Sequence, residues 1–198
     1  VTMVEKQYPQ FIPNLSTARS PHQMQGSLIK TFFAKKLGLK PSDISVVSIM
    51  PCTAKKHEAK RPEFAQEGSP DVDHVLTTRE LGKILRLKKV PLGSLTPQKY
   101  DAPMGIASGA GDLFGATGGV MEAAVRTAYE LSMGKRLEKL EFQDLRGLKG
   151  IKEMKLTLKK ADGQPIDLKI AVCNGVANAR HLLERMIKKE VDFHFVEV

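Results

Sequence analysis

The residues whose types and spacing could carry chemistry are a cysteine and a lysine that follow a short apolar run. The run Ile44–Ile49 is β-branched and is bounded by Pro41 and Pro51, so it predicts a buried strand. Cys52 falls just past the carboxyl end of that strand, where α/β sheets place ligands. Lys55 follows closely, and its ammonium can donate hydrogen bonds to an anion in the same space. The spacing therefore predicts a thiolate and a cation at one strand end.

The segment around Cys52 is one of several short motifs that occur in order along nearly the whole chain. Met50–Glu58 reads Met-Pro-Cys-x-x-Lys-x-x-Glu. The other motifs are Asn14–Pro21, Asp73–Leu81, Ser108–Gly111, Phe114–Glu122 and Arg146–Glu153. Together they resemble the catalytic domain of the iron-only (FeFe) hydrogenases. The resemblance implies an α/β fold with two lobes of mixed sheet flanked by helices, and residues 1–198 would form part of that catalytic domain.

The resemblance also implies roles for individual residues. In the family, dihydrogen chemistry takes place at the H-cluster, a cubane 4Fe-4S cluster joined to a two-iron subsite. Cys52 matches a cysteine ligand of the cubane, and Lys55 matches a lysine that hydrogen-bonds a cyanide of the subsite, a role that suits a compact ammonium. Ser16 matches a hydroxyl of the proton relay, which must both donate and accept. Residues that would line the cavity around the subsite are Met50, Ser20, Pro21 and Phe114.

The number of cysteines limits what this chain can do by itself. The family takes the four cysteine ligands of its cluster from three segments, whereas this sequence has two cysteines, Cys52 and Cys173. By the order of the motifs, Val1 falls just after the first of those segments and Val198 just before the last. One matched cysteine cannot complete a cubane site. We therefore expect these residues alone to lack the complete H-cluster and dihydrogen turnover, and to need the cysteine-bearing segments of the same enzyme.

We do not assign a metal to the second cysteine or to any histidine. Cys173 has no counterpart among the family's ligands, and its place after an apolar run predicts a buried thiol. The histidines show no metal-ligand spacing; they are His22, His57, His74, His181 and His194.

Two functions from different classes remain open. The first is an oxidoreductase that interconverts protons, electrons and dihydrogen, with a ferredoxin- or cytochrome-type electron carrier as partner. The second is a non-catalytic hydrogenase-like protein, either sensory or used in cytosolic iron–sulfur assembly. Met50, Lys55 and the motif that begins at Phe114 favour the first. We expect a cytoplasmic or periplasmic protein of an anaerobic prokaryote.

Composition excludes several other classes of protein. The chain has 198 residues, is 41% hydrophobic and carries a formal net charge of +9. Its positive residues are scattered without interleaved aromatic residues, which argues against nucleic-acid binding; some of this charge could attract an acidic electron carrier. No stretch approaches the roughly 20 apolar residues of a membrane span. Two distant cysteines do not form a disulfide scaffold.

Periodicity and capping signals predict the elements that position these residues. A helix is expected over Pro21–Leu37, with Ser20 as N-cap and Gly38 as its stop. Its apolar stripe comprises Met24, Leu28, Ile29, Phe32, Phe33 and Leu37. Thr77 and Glu80 form a capping-box pattern at the start of a second helix.

The rest of the chain is expected to alternate strands and helices, as in α/β layers. The predicted elements are strands at 44–50 and 72–76, a lobe connection near 88–107, a helix at 118–133, hairpin strands at 154–160 and 166–173, a helix after Gly175 and a strand at 193–198. The glycine-rich stretch Gly109–Gly119 has two interpretations, a loop that packs tightly before a helix or a lining of the active-site cavity.

Overall fold

The fold is described in a computed structural model for residues 1–66, 68–138, 143–145 and 150–198. The chain forms two compact units, Val1–Gly105 and Ile106–Val198. Helices occur with both parallel and antiparallel strands, which confirms the predicted α/β class. Residues 146–149 of the motif Arg146–Glu153 lie outside the described residues.

The first unit combines short helices with a two-stranded parallel sheet and a small antiparallel ribbon. Its helices are α1 (Thr2–Gln7), α2 (Pro21–Leu28), α3 (Ala34–Leu37), α4 (Ala54–Glu58) and α5 (Thr78–Leu87), with 3₁₀ turns at Pro9–Asn14, Pro41–Asp43, Pro62–Phe64 and Leu92–Ser94. Its strands are β1 (Val47–Met50), β2 (Ala65–Gln66), β3 (Ser69–Pro70) and β4 (His74–Thr77). β1 pairs with β4 in parallel, and β2 pairs with β3 antiparallel. The carboxyl ends of β1 and β4 therefore lie side by side.

The helix predicted over residues 21–37 is present, with a wider turn in its middle. α2 continues through a π turn at Ile29–Phe33 into α3. Gly38 ends it in the left-handed conformation, with φ of 69°, as the sequence predicts. Ser20 occupies the N-cap position but its side chain makes no capping hydrogen bond.

The apolar stripe of this helix does not form the buried face that amphipathic periodicity suggests. Its members Met24, Leu28, Phe32 and Leu37 are between 42% and 59% exposed. The buried positions are instead His22, Gln23, Gly26, Lys30 and Ala34. At Gly26 a Cβ would overlap the backbone of Asp71, so the small and polar face is the one that approaches the rest of the unit.

A buried lysine secures that polar face. Lys30 is 2% exposed, and its Nζ donates to the carbonyl oxygen of Ile44 at 2.5 Å and lies 2.9 Å from the Asp73 carboxylate. The same carboxylate accepts a hydrogen bond from the backbone N–H of Val46 at 2.7 Å. An ammonium can be buried because it is paired and hydrogen-bonded, and this one fixes the segment that leads into β1.

The strand before Cys52 is shorter and less buried than predicted. It spans Val47–Met50 rather than 44–50, and Ser48 is its buried residue, whereas Val47 and Ile49 are 51% and 44% exposed. The prediction of a buried strand was therefore wrong. A two-stranded sheet has few neighbours to cover both of its faces.

The capping box at the start of α5 is confirmed. The Glu80 backbone N–H donates to the Thr77 hydroxyl at 3.2 Å, and the Thr77 backbone N–H donates to the Glu80 carboxylate at 2.7 Å. Hydrogen bonds from Lys56 and Thr77 lower the pKa of Glu80 to about 2. Thr77 is also the last residue of β4, so the same side chain ends a strand and begins a helix.

The second unit combines helices with a four-stranded mixed sheet. Its helices are α6 (Gly109–Leu113), α7 (Gly119–Met133) and α8 (Val176–Ile187), and its strands are β5 (Gln143–Asp144), β6 (Ile151–Lys159), β7 (Pro165–Cys173) and β8 (Phe195–Glu197). The strand order is β5-β6-β7-β8, with β7 and β8 parallel and the other pairs antiparallel. Gly163, at φ of 80°, turns the predicted hairpin between β6 and β7.

The core of the second unit lies between α7 and this sheet. Its buried cluster is Met121, Val125, Met154, Ile170 and Val172. Cys173, at the end of β7, is 1% exposed, and burial raises the pKa of its thiol. The predicted buried thiol is therefore confirmed.

Within the described ranges, every helix falls short of the length and hydropathy that crossing a bilayer requires.

Candidate functional site

The end of β1 leads directly into the helix that carries Lys55. After Met50 the chain passes through Pro51 and Cys52, and α4 begins with Thr53 at its N-cap. The backbone N–H of Lys55 donates to the carbonyl oxygen of Cys52 at 3.4 Å. Cys52 is a free, exposed thiol. The thiol and the lysine predicted from their spacing therefore lie within one tight turn.

Lys55 also lines a cleft of about 450 Å³ within the first unit. The other lining residues are Val1, Thr2, Leu15, Ser16, Thr17, Ala18, Arg19, Ser20, Ala54, His57, Glu58, Arg61, Glu63 and Phe64. Three of the candidate residues, Ser16, Ser20 and Lys55, thus share one cleft. Met50, Pro21 and Cys52 are absent from this lining, although Pro21 directly follows Ser20 and Cys52 lies two residues before Ala54.

A shared carboxylate holds the ammonium of Lys55. Glu58 Oε2 lies 2.8 Å from Lys55 Nζ and 3.4 Å from Nε2 of His22. Nδ1 of His22 lies 3.1 Å from the hydroxyl of Ser48. The Lys55–Glu58 pair joins positions three apart on a helix, where side chains are neighbours, but His22 and Ser48 are brought in from α2 and β1.

The electrostatics of this network follow from its burial and its donors. Burial acts to raise the pKa of Glu58, but the hydrogen bond from Lys55, the nearby hydroxyl of Ser20 and the charges of Lys55 and His22 outweigh it, so the pKa is lowered. Burial lowers the pKa of His22, and the nearby Glu58 carboxylate only partly compensates. At neutral pH Glu58 is therefore a carboxylate and His22 a neutral imidazole.

Two serines provide the polar atoms of the cleft. The hydroxyl of Ser16 is exposed and accepts a hydrogen bond from the Ala18 backbone N–H at 3.1 Å. The Oγ of Ser20 is buried and is close enough to Glu58 to influence its pKa, yet no contact in the described part of the chain has normal hydrogen-bond geometry for it. A buried hydroxyl of this kind is available to a ligand.

These groups fit part of an iron–sulfur cofactor. Cys52 offers a thiolate ligand, Lys55 a positive charge and Ser20 an unused hydroxyl. They do not fit a complete cubane site, which needs four ligands. Among the residues that the structure describes, no group of three or more histidine, cysteine and acidic side chains could hold a metal ion.

Two arginines hold the cleft walls and were not singled out by the sequence. Arg19 pairs with the fully buried carboxylate of Asp71, and its guanidinium lies 5.3 Å from the ring centroid of Phe64. Arg61 donates to both Glu5 and Glu63, at 2.7 and 3.0 Å. The pairs join residues up to 56 positions apart. Local spacing carries no signal for such partners.

Phe114 lies in the second unit, at the end of α6, and is 40% exposed. A Cβ at Gly119 would overlap the carbonyl of Leu113, which supports the tight-packing interpretation for this glycine. Glu197 on β8 completes the turn, because its carboxylate accepts from the backbone N–H groups of Gly118 at 3.1 Å and Met121 at 2.6 Å. An anionic side chain at a helix N-terminus is favourable. No local sequence pattern marks Glu197 for this role.

Comparison with known proteins relates this arrangement to one family. The family model described as iron only hydrogenase large subunit, C-terminal domain, matches residues 1–198. The NADP-reducing hydrogenase subunit HndD of Solidesulfovibrio fructosivorans is 46% identical over all of this chain and 33% of its own length. Iron hydrogenase 1 of Clostridium pasteurianum is 41% identical over all of this chain and 34% of its own length.

Relatives named for iron-sulfur assembly and solved hydrogenase structures match as well. The cytosolic iron-sulfur assembly component 3 of Pongo abelii is 37% identical over the whole chain and 42% of its own length. A variant of the apo [FeFe]-hydrogenase HydA1 from Chlamydomonas reinhardtii has a TM-score of 0.84 and 41% identity, covering 98% of this chain and 55% of the other. The chain thus spans about a third to just over half of these proteins. It belongs to the family formed by the C-terminal domains of iron-only hydrogenase large subunits.

Proposed function

We propose that this chain is the part of an iron-only hydrogenase catalytic domain that supplies Cys52 to the cubane of the H-cluster and Lys55 to its two-iron subsite. The observation that carries the proposal is the junction of β1 and α4. It keeps a free thiol within one turn of an ammonium that lines a cleft with Ser16 and Ser20. Membership of the hydrogenase family supports this use of the two residues.

The proposed roles follow the chemistry of each side chain. The H-cluster, when bound, supplies the redox and bond chemistry of dihydrogen. The ammonium of Lys55 has three N–H donors, so it could donate to the cyanide of the subsite while it keeps its hydrogen bond to Glu58. Ser16 can pass a proton because its exposed hydroxyl both donates and accepts. Met50, Ser20, Pro21 and Phe114 would shape the cavity and limit the entry of water.

The remaining ligands would come from other segments of the same enzyme. Cys173 is 1% exposed and its pKa is raised by burial, so it is a poor candidate for a thiolate ligand. Three of the four cubane cysteines must then be supplied from elsewhere. We therefore expect the 198 residues alone to lack the complete cluster and dihydrogen turnover.

The proposed partners are protons, dihydrogen and an acidic electron carrier of ferredoxin or cytochrome type. The formal net charge of +9 supports an acidic carrier, because complementary charge raises association rates. We propose a cytoplasmic or periplasmic location, and one relative is named a periplasmic [Fe] hydrogenase large subunit.

A paired substitution tests the ligand role in a complete polypeptide that bears this sequence. Cys52→Ala should reduce the iron retained as cubane, measured by iron content and electron paramagnetic resonance, because a thiolate ligand is lost. Cys173→Ala is the matched control and should retain the cubane. Equal iron retention in both variants would contradict the assignment of Cys52.

A second substitution tests whether Lys55 anchors the two-iron subsite. Lys55→Ala should keep the cubane but weaken capture of a synthetic two-iron complex and lower dihydrogen evolution. Full capture together with parental evolution would rule out the anchoring role.

A non-catalytic role in iron–sulfur assembly is the second candidate. It is favoured by the relatives named for that process, such as the 37%-identical protein of Pongo abelii. Two hydrogenases match at higher identity, 46% and 41%, which supports the catalytic proposal. A complete polypeptide that holds a cubane, takes up no two-iron complex and evolves no dihydrogen would favour the assembly role.

A further inference from the structure

The residue that links α2 to the proposed anchor is a buried histidine. His22 has a side chain that is 3% exposed, and both of its ring nitrogens have partners. One partner, Ser48, is 8% exposed and belongs to β1, and the other, Glu58, is the last residue of α4. His22 therefore joins three elements that meet beside the cleft.

The contacts of His22 define the direction of its hydrogen bonds. A carboxylate can only accept, so Nε2 must carry the proton that faces Glu58. Nδ1 of a neutral imidazole then accepts from the hydroxyl of Ser48. Burial lowers the pKa of His22, in agreement with a neutral ring. Ser48 therefore donates to His22, and His22 donates to Glu58.

The Glu58 oxygen that accepts from His22 also binds Lys55. Oε2 of Glu58 is 2.8 Å from Lys55 Nζ and 3.4 Å from His22 Nε2. A lysine side chain has many rotamers, and the side chain of Lys55 is 29% exposed. A carboxylate that is itself fixed from a buried residue restricts the lysine more than an exposed carboxylate could.

We propose that His22 is a positioning residue for Lys55 and acts through the shared carboxylate of Glu58. His22 does not touch the ligand in this role. It fixes Glu58, and Glu58 keeps the ammonium at the cleft. The inference rests on the anchoring role proposed for Lys55, and the experiment below separates the two.

The experiment measures capture of a synthetic two-iron complex with cyanide ligands by the cubane-loaded apoprotein of a complete polypeptide bearing this sequence. His22→Phe removes the hydrogen bonds to Ser48 and Glu58. It should raise the apparent Kd about tenfold, which corresponds to the loss of the one hydrogen bond to a charged group, Glu58. His22→Gln retains a donor for Glu58 and should recover part of the affinity. His74→Gln, at an exposed histidine of the same unit, is the matched control and should bind as the parent does.

The infrared spectrum of the loaded protein gives a readout that a purely structural role would not change. Weaker donation by Lys55 should shift the cyanide stretching bands in His22→Phe, and the iron content of the cubane should stay at the parental level. A lower unfolding temperature with parental Kd and parental bands would overturn the proposal.

A double-mutant cycle then tests the coupling between His22 and Lys55. Adding His22→Phe to Lys55→Ala should change the Kd no further, because the residue through which His22 acts is gone. Additive effects would overturn the inference. If Lys55→Ala alone captures the complex like the parent, the proposed function of Lys55 fails; if Lys55→Ala weakens capture and His22→Phe does not, only the role of His22 fails.

Discussion

The long helix of each unit buries a different kind of face. In α7 of the second unit, Met121 is fully buried and Val125 is 6% exposed, so an apolar stripe packs on the sheet. In the helix 21–37 of the first unit, Phe32 is 59% exposed while Gln23 and Lys30 are at most 2% exposed. The helix of the second unit thus buries apolar side chains, whereas the helix of the first unit buries polar ones, of which Lys30 is hydrogen-bonded and ion-paired. The first unit is also the one that holds the cleft.

The comparison predicts that truncation has very different effects in the two helices. Met121→Ala should lower the free energy of unfolding by about 3 kcal/mol, because it leaves a cavity in a closed core. Phe32→Ala, a larger truncation on the exposed stripe, should change it by less than about 1 kcal/mol. Denaturant unfolding measures both. A loss at Phe32 equal to that at Met121 would mean that the stripe is buried in solution.

The buried charge of the first unit should matter nearly as much as the apolar core of the second. Lys30→Met leaves the Asp73 carboxylate without its cation and removes the bond to Ile44, and should cost about 2 kcal/mol because Asp73 is 21% exposed. Lys35→Met, on the exposed side of the same helix, should stay within about 0.5 kcal/mol. If both variants lose the same free energy of unfolding, the buried contacts of Lys30 do not contribute to stability beyond those of an exposed lysine.

Gln23 sharpens the comparison because its polar atoms are buried without partners in the described part of the chain. Gln23→Met preserves shape and removes the unmet hydrogen-bonding groups, so it should raise the free energy of unfolding by about 1 kcal/mol. A loss of stability in thermal and denaturant unfolding would show that the amide is hydrogen-bonded in solution.

Acid should weaken the polar interior of the first unit, with the smallest effect of the four. The pKa of His22 is lowered from 6.5, so below about pH 6.5 the unfolded chain binds a proton that the folded chain excludes, and stability falls as pH falls. Glu58, whose pKa is also lowered, acts in the same direction at lower pH. Thermal unfolding at about pH 7.5 and about pH 5.5 should show a smaller decrease for His22→Phe than for the parent. An identical decrease would exclude His22 as the source.

Capping and turn signals predicted the start of one helix, the end of another and a hairpin turn, but not which face of a helix is buried. The capping box at Thr77, the stop at Gly38 and the turn at Gly163 each depend on neighbouring residues, and each is found in the structure. The buried face of helix 21–37 depends instead on Asp71 and Asp73, which are distant in sequence. The π turn at Ile29–Phe33 also has no simple pattern of residue types.

The candidate site divides in the same way. The sequence brought Cys52 and Lys55 together because they are close along the chain, and the family resemblance added Ser16 and Ser20, which share the cleft with Lys55. The convergence of Phe114 with these residues stays a prediction. His22 and Glu58 are 36 residues apart, so no local spacing could have paired them.

The carboxylate of Glu197 has a consequence for the order in which the second unit folds. It binds the N–H groups of Gly118 and Met121 across separations of 79 and 76 residues. Closing contacts over long separations is slow, because the entropy of loop closure is lost before the contact forms. β8 must also reach its place beside β7 before the carboxylate can bind. We therefore expect the turn that follows Phe114 to be among the last parts of the unit to acquire its final geometry, after the sheet is complete.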